Sequence, residues 1–276
     1  MKDIYNNISF AIATNGKRYD LTKKTIKSIQ NVTNYKCDIH IGGNISKFSF
    51  LKDENIFLHN FKEEANNGFV GKLRNKIIEK CNTEIVVYCD DDVLMPKNWL
   101  NKFLEYNNNN DWNFLTNKIL LPNGGRYWDR SIINDTIHTM VDYEHDKYDK
   151  RLYFCSTFFV TKRDFFKKFK FDETLKYYGG VKNKNLDLKN WKSAEDHELS
   201  YRIYQQGYCI DFDYNNCVFH INNEFTQVIR KRSLSKNVCV KNIFLNGEEP
   251  DSIFVKDRSV IEMLRNEFKN LWNINL

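Results

Sequence analysis

"TEIVVYCDDDVLMPKNWL" spans Thr83 to Leu100. Val86, Val87 and Tyr88 belong to a short apolar run, the pattern of a strand buried on both faces. Asp90, Asp91 and Asp92 follow directly after Cys89. Adjacent carboxylates repel, so three of them at the surfacing end of a core strand call for a compensating cation. Beyond them, "PKNWLNKFLEY" reads as a helix. Pro96 suits its first turn, and Trp99, Leu100, Phe103 and Leu104 make its apolar stripe.

Working outward from this stretch gives the fold class. "ISFAIAT" (Ile8 to Thr14) reads as a first strand, and Leu21, Thr25, Ile26 and Ile29 then recur at helical spacing. "CDIHIGG" and "NIFLHN" read as strands. "GKLRNKIIEKC" reads as a helix with Leu73, Ile77 and Ile78 on one face. The order β-α-β-β-α-β-α over the first ~110 residues predicts a mainly parallel sheet covered by helices. Such sheets bind ligands beyond the carboxyl ends of their strands, where the aspartates stand.

Further along, "NFLTNKILLP" and "RLYFCSTFFVTK" read as strands. Between them lies "NGGRYWDRSIINDTIHTMVDYEHDKYDK", which has little periodicity and reads as a mobile loop near the site. "SAEDHELSYRIYQQG" is a helix closed by Gly207. "YCIDFD" and "CVFHI" are short strands. From Phe225 the chain is basic, "VIRKRSLSK", and then helical, with Val260, Ile261, Leu264, Phe268 and Leu271 as its apolar face.

A length of 276 residues with 41% hydrophobic and 15% aromatic content suits one α/β domain with an elaborated end. The net charge of +6 favours an anionic ligand, a nucleotide or an acidic lipid surface, or simply reflects a Lys- and Asn-rich composition. The seven cysteines are scattered and form no C-x-x-C pair, so they read as reduced, buried small hydrophobes. No run of about 18 apolar residues predicts a membrane span. "MKDIYNNISFAIATNGK" lacks the apolar core of a signal peptide, so a cytoplasmic location is expected.

Several side-chain groups carry candidate chemistry. On an extended backbone Asp90 and Asp92 point to one side and Asp91 to the other. Two hard oxygen ligands at a sheet mouth suit Mg²⁺ or Mn²⁺, and a diphosphate held on that metal becomes a better leaving group. The alternatives are a solvent-facing acidic turn, or Ca²⁺ without the glycine and distal glutamate of an EF-hand. Ser193 and Asp196 have the spacing of a helix capping box. Equally, a carboxylate in the first turn of a helix at a cleft edge can accept a proton from an attacking hydroxyl. Asp196 is then the base, and Glu195 beside it binds acceptor hydroxyls. Glu198 and Arg202 have the spacing of a surface pair. His220 becomes a ligand only if the fold brings it to Asp92. Gly68 and Gly71 open a helix whose first turn carries Lys72 and Arg74, a phosphate-favouring arrangement without Walker A spacing.

Together these segments resemble a GT-A-fold glycosyltransferase of the family 2 type, over about Ser9 to Ile221. "NNGFVGKLRNKIIEKCNTEIVVYCDDDVLMPKNWL" is similar to the family's N-x-G…RN…D-D-D…P-x-W-L pattern. "FDETLKYYGG…AEDHELSYRIYQQGYCI" is similar to its F-D-E…G…E-D-x-E-L…R…G pattern. The "EDHELSYRIYQQG" helix also resembles that of animal galactosyl- and N-acetylgalactosaminyltransferases.

The resemblance implies a Rossmann-like, mainly parallel sheet flanked by helices. Residues 1–224 would form the transferase domain, with 1–110 the nucleotide half and 111–224 the acceptor half. Residues 225–276 would be a basic extension ending in a helix. It implies a nucleotide-sugar donor, usually a UDP-sugar, held with Mn²⁺ or Mg²⁺. Asp92, Asp90 and His220 match the metal positions. Thr14, Asn15, Arg74, Asp90 and Asp91 match the nucleotide side. Asp196 matches the catalytic base of inverting members.

The expected acceptor is a glycan or glycolipid. Arg230, Lys231, Arg232 and Lys236 would offer peripheral contact with an anionic membrane. A protein acceptor or a retaining outcome are the variants. A sugar nucleotidyltransferase lacks support, because "ATNGKRYDLTKKT" carries no Gly-rich loop of that kind. A nucleic-acid-binding module is disfavoured by the acidic triplet. The chain departs from the pattern where the second strand ends "IHIGGN" instead of acidic, where Trp191 stands four before Glu195, and where "VKNKNLDLKNWKS" is inserted.

Overall fold

The computed structural model describes residues 7–48, 51, 53–121, 126–134, 137–176 and 195–221. Strands β1 (Ile8–Thr14), β2 (Asp38–Gly43), β3 (Ile56–Asn60), β4 (Ile85–Asp90), β5 (Val93–Leu94), β6 (Phe114–Leu120), β10 (Phe158–Lys162) and β11 (Asp211–His220) form one eight-stranded sheet. Its order is β3-β2-β1-β4-β10-β6-β11-β5. β1 runs parallel to β2 and β4, β2 to β3, and β6 to β11, while β10 and β5 run antiparallel to their neighbours. This is the expected α/β class with a mainly parallel sheet. Chain order reverses at β1, which has β2 on one side and β4 on the other. A crevice opens at the carboxyl ends of strands that flank such a switch.

Period-two alternation in β4 separates the two core layers. Val87 and Cys89 face the layer that holds α1 (Tyr19–Thr33) and α4 (Trp99–Asn109), with Ile26, Ile29, Trp99 and Phe103. Val86 and Tyr88 face the layer that holds α3 (Val70–Ile78), α5 (Arg163–Lys168) and α6 (Glu195–Gln205), with Leu73, Ile77, Phe166 and Leu199. A short α2 (Lys62–Asn67) precedes α3 and ends in left-handed Gly68. α6 is closed by Gly207, also left-handed, as expected.

Four expectations change. Pro96 lies outside the helix. It opens a turn in which Trp99 N donates to the Pro96 carbonyl, and α4 starts there. The expected mobile loop contains β7 (Ser131–Asn134) and β8 (Ile137–Met140), which form a second, antiparallel sheet with β9 (Leu152–Tyr153) just beyond it. Strands of two to four residues are too short to show a period. "RLYFCSTFFVTK" is broken at Cys155–Thr157 into β9 and β10. "YCIDFD" and "CVFHI" contribute to a single β11, with a register break between Asp213 and Cys217.

The glycines that end β2 have a packing cause. A Cβ on Gly42 would meet Ile77 of α3 at 2.3 Å. Gly43 has φ +127°, and a Cβ there would lie 1.9 Å from the Thr14 carbonyl oxygen. "IHIGGN" therefore brings the ends of β1 and β2 together and seats α3. Six of the seven cysteines lie in described residues, and all six are free thiols. Among the described residues no helix is long and apolar enough to cross a membrane. The basic stretch and C-terminal helix lie outside the described residues.

Candidate active site

β4 ends at Asp90, and Asp91 and Asp92 form a turn. Strand alternation therefore stops, and the side chains do not divide as expected. Asp90 accepts from Tyr88 Oη at 2.8 Å and lies 3.5 Å from Arg74 Nη2. Asp91 and Asp92 both turn toward Arg18, at the start of α1. Arg18 Nη2 is 2.6 Å from Asp91 Oδ1, and Nη1 pairs with Asp92 Oδ2. Thr14 Oγ1 donates to Asp91 Oδ2 at 2.5 Å and accepts from Gly16 N at 3.1 Å. Among the described residues the compensating cations are thus Arg18 on one side and Arg74 on the other.

Burial governs the charge of these groups. It raises the Asp91 pKa to about 7 against the opposing pull of Arg18. It also raises Asp90, with Arg74 opposing. At Asp92 burial pushes upward too, but the His220 hydrogen bond, the His220 charge and Arg18 outweigh it, so the net shift is downward. His220 reaches Asp92 because β11 pairs antiparallel with β5, His220 standing opposite Val93. Ile221 N donates to the Asp92 carbonyl, and His220 Nε2 lies 3.2 Å from Asp92 Oδ2. Tyr127 packs on the His220 ring at 4.2 Å.

A second acidic group faces the first. Arg74 is 1% exposed, donates to Tyr88 Oη at 3.0 Å and pairs with Glu195 Oε1 at 2.5 Å. It ties the end of β4 to the first turn of α6. Ser156 Oγ lies 3.1 Å from Glu195 Oε1 and 3.3 Å from Asp196 Oδ2, and Ser156 N donates to Asp196 Oδ2 at 3.4 Å. The next residue, Thr157, accepts from Asp90 N at 2.9 Å. The break between β9 and β10 is therefore the hinge between the two carboxylate groups. Burial raises the Asp196 pKa, although its side chain keeps 17% of its surface. Its neighbour His197 is buried and held neutral, its pKa lowered to about 4.

The structure thus brings together Asp91 with Asp92 and His220, and Asp90 with Arg74, Glu195 and Asp196. It leaves Asp90 turned from the Asp92–His220 pair. Among the described residues no three His, Cys, Asp or Glu side chains converge as a ready metal cluster. Asn15 is exposed in the turn after β1, where its Oδ1 accepts from Lys17 N. Ser193, the capping-box partner of Asp196, lies outside the described residues. Sequence reasoning missed Arg18, Ser156 and Tyr88. Only Arg18 left a signal, as a cation in the turn after a strand that ends beside the aspartates.

Residues 11–170 match the sequence profile of the family described as Glycosyl transferase family 2. No curated protein matches the chain. The fold is similar to the crystal structure of S. aureus TarS 1–349, with a TM-score of 0.52 and 17% identity, over 98% of this chain and 76% of that one. It is similar also to S. aureus TarS 1–349 in complex with UDP, with a TM-score of 0.52 and 18% identity, over 95% and 72%. The profile covers more than half of the chain and contains the acidic strand end, the glycines of β2 and Arg74, and on that ground the chain belongs to glycosyl transferase family 2.

Proposed function

We propose that the chain is a metal-dependent, inverting transferase that moves a hexosyl or N-acetylhexosaminyl group from a UDP-sugar to a hydroxyl of a glycan or glycolipid. One observation carries the reading. An acidic strand end and the Glu195–Asp196 pair lie side by side, joined through Arg74 and through Ser156–Thr157. That is the juxtaposition a sugar donor and an attacking hydroxyl require. The UDP complex of a protein with a similar fold supports uracil as the base. The likeness of the α6 sequence to galactosyl- and N-acetylgalactosaminyltransferases supports the class of sugar.

The residues suit a divalent cation. Asp92 Oδ1 is buried and has no hydrogen-bond partner among the described residues. With the His220 imidazole beside it, this gives two protein ligands and leaves the other positions to phosphate oxygens and water, the usual way Mg²⁺ or Mn²⁺ is bound with nucleotides. When bound, the cation neutralises the diphosphate so that it departs more readily. Asp90 would meet the ribose or metal-bound water, and Thr14 and Asn15 the nucleoside. Asp91 would act through Thr14 and Arg18 to shape that side.

Asp196 would take the acceptor hydroxyl proton. Its raised pKa moves it toward the range in which a carboxylate is an effective base. Ser156 fixes the carboxylate through a backbone and a side-chain hydrogen bond. Glu195 Oε2 is buried without a hydrogen-bond partner among the described residues, an open position for an acceptor hydroxyl. Displacement by the deprotonated hydroxyl on the face opposite the diphosphate gives inversion. The basic residues Arg230, Lys231, Arg232 and Lys236 would hold the protein at an anionic membrane that carries the acceptor.

The test is calorimetric titration with UDP, GDP and CMP, each with and without Mn²⁺, on the protein and on Asp92→Asn. The expected result is UDP binding that requires both Mn²⁺ and Asp92. UDP binding independent of Mn²⁺ would overturn the metal assignment, and no nucleotide binding at all would overturn the donor.

A further inference from the structure

The acidic strand end already carries its own counter-ion. Arg18 sits where the turn after β1 enters α1, and its guanidinium spans two carboxylates. One nitrogen is 2.6 Å from Asp91 Oδ1 and the other pairs with Asp92 Oδ2. That same Asp92 oxygen lies 3.2 Å from His220 Nε2. The guanidinium therefore reaches the very carboxylate that, with His220, would bind a dication.

A dication on Asp92 Oδ1, which has no hydrogen-bond partner among the described residues, and a guanidinium on Oδ2 of the same buried carboxylate compete for one negative charge. Their charges repel at contact distance, most strongly where protein excludes water. The parts of the cluster differ in freedom. The Asp91 and Asp92 side chains are 1% and 0% exposed, whereas Arg18 keeps 31% of its side-chain surface. The carboxylates are fixed and the arginine stem borders solvent. Arg18 is thus the member that can leave.

We propose that Arg18 is an exchangeable internal counter-ion that holds Asp91 and Asp92 in the metal-free protein and moves to the donor's diphosphate when the cation takes its place. The proposal rests on the metal reading above. A guanidinium pairs with phosphate oxygens as well as with carboxylates, so the released side chain gains an equivalent partner. The nucleotide supplies that partner, so cation and nucleotide each strengthen the binding of the other, by the same factor in both directions. Cation alone binds weakly, because it must displace Arg18 with nothing to receive it.

The experiment is titration of Mn²⁺, followed by electron paramagnetic resonance of the free ion, with and without UDP. The proteins are the full chain, Arg18→Gln, Arg18→Lys and Asp92→Asn. Without UDP, Arg18→Gln should bind Mn²⁺ on the order of tenfold more tightly than the parent, since a competing charge is gone. With it, the strengthening of Mn²⁺ binding by UDP should shrink to a few-fold. Arg18→Lys should fall between, because an ammonium is one point charge and cannot span two carboxylates. It also serves if the glutamine variant does not fold. Unchanged or weaker Mn²⁺ binding in both Arg18 variants, with binding lost in Asp92→Asn, overturns the counter-ion and leaves the metal reading standing. Mn²⁺ binding by Asp92→Asn equal to the parent overturns both.

Discussion

Replacing Arg74 by Met tests the buried link between the two acidic groups. Arg74 and Glu195 are 1% and 2% exposed and 2.5 Å apart. Arg74 also donates to Tyr88 Oη at 3.0 Å and stands on the faces of Tyr88 and Phe171. Methionine keeps much of the apolar stem but removes the charge. Glu195 is then a buried carboxylate with no cation, and the cost of removing one partner of such a pair is about 3–5 kcal/mol. With a urea m-value near the upper end for single domains, about 3 kcal/mol/M, the unfolding midpoint falls by about 1–2 M. Urea unfolding followed by tryptophan fluorescence reads this directly. The double variant Arg74→Met, Glu195→Leu removes both charges and should recover most of the loss, because the penalty lies in the stranded carboxylate. A single-variant loss below about 1 kcal/mol would show that water reaches Glu195 and that the pair is surface-like. A double variant no more stable than the single would locate the cost in packing instead of charge.

Further outcomes follow from other positions. Gly43→Ala should cost more than about 2 kcal/mol in the same assay, since its Cβ would lie 1.9 Å from the Thr14 carbonyl at φ +127°. A loss under about 0.5 kcal/mol would mean that β1 and β2 can part at their ends. His40 is buried against His59, and burial lowers its pKa to about 4. The unfolded chain binds that proton near pH 6.5, so stability is complete above pH 6.5 and falls as pH drops toward 4. His40→Gln should flatten that slope by about 3 kcal/mol across the window, and an unchanged slope would refute the assignment. Asp196→Asn should reduce turnover about 10²–10⁴-fold with UDP affinity preserved. Full turnover would reduce Asp196 to a helix-terminal carboxylate.

Much of the chain from β1 to α4 was legible because its signals are local. β1, β2, β3 and β4 are short apolar runs, and α1, α3 and α4 carry apolar faces at helical spacing, as expected. The family patterns also held functions that periodicity hides. In "RN", Arg74 faces the site while Asn75 exchanges hydrogen bonds with the Phe171 backbone at 2.9 and 3.0 Å, tying "FDE" to α3. The chain after α4 was less legible. The strands β7, β8 and β9 exist through pairing with one another, a non-local energy that no window of sequence contains.

The sequence by itself determined the α/β class, the acidic strand end, the Glu195–Asp196 helix and membership of a transferase family. Only the tertiary structure decided how the charges are shared. Register between β11 and β5 sets His220 beside Asp92, and the turn after β4 rotates Asp91 and Asp92 toward Arg18 while Asp90 goes to Arg74. The physical reason is one of range. Hydrophobic period is written along the chain within a few residues, whereas the partner of a buried charge is whichever group the fold carries to within a few ångströms of it.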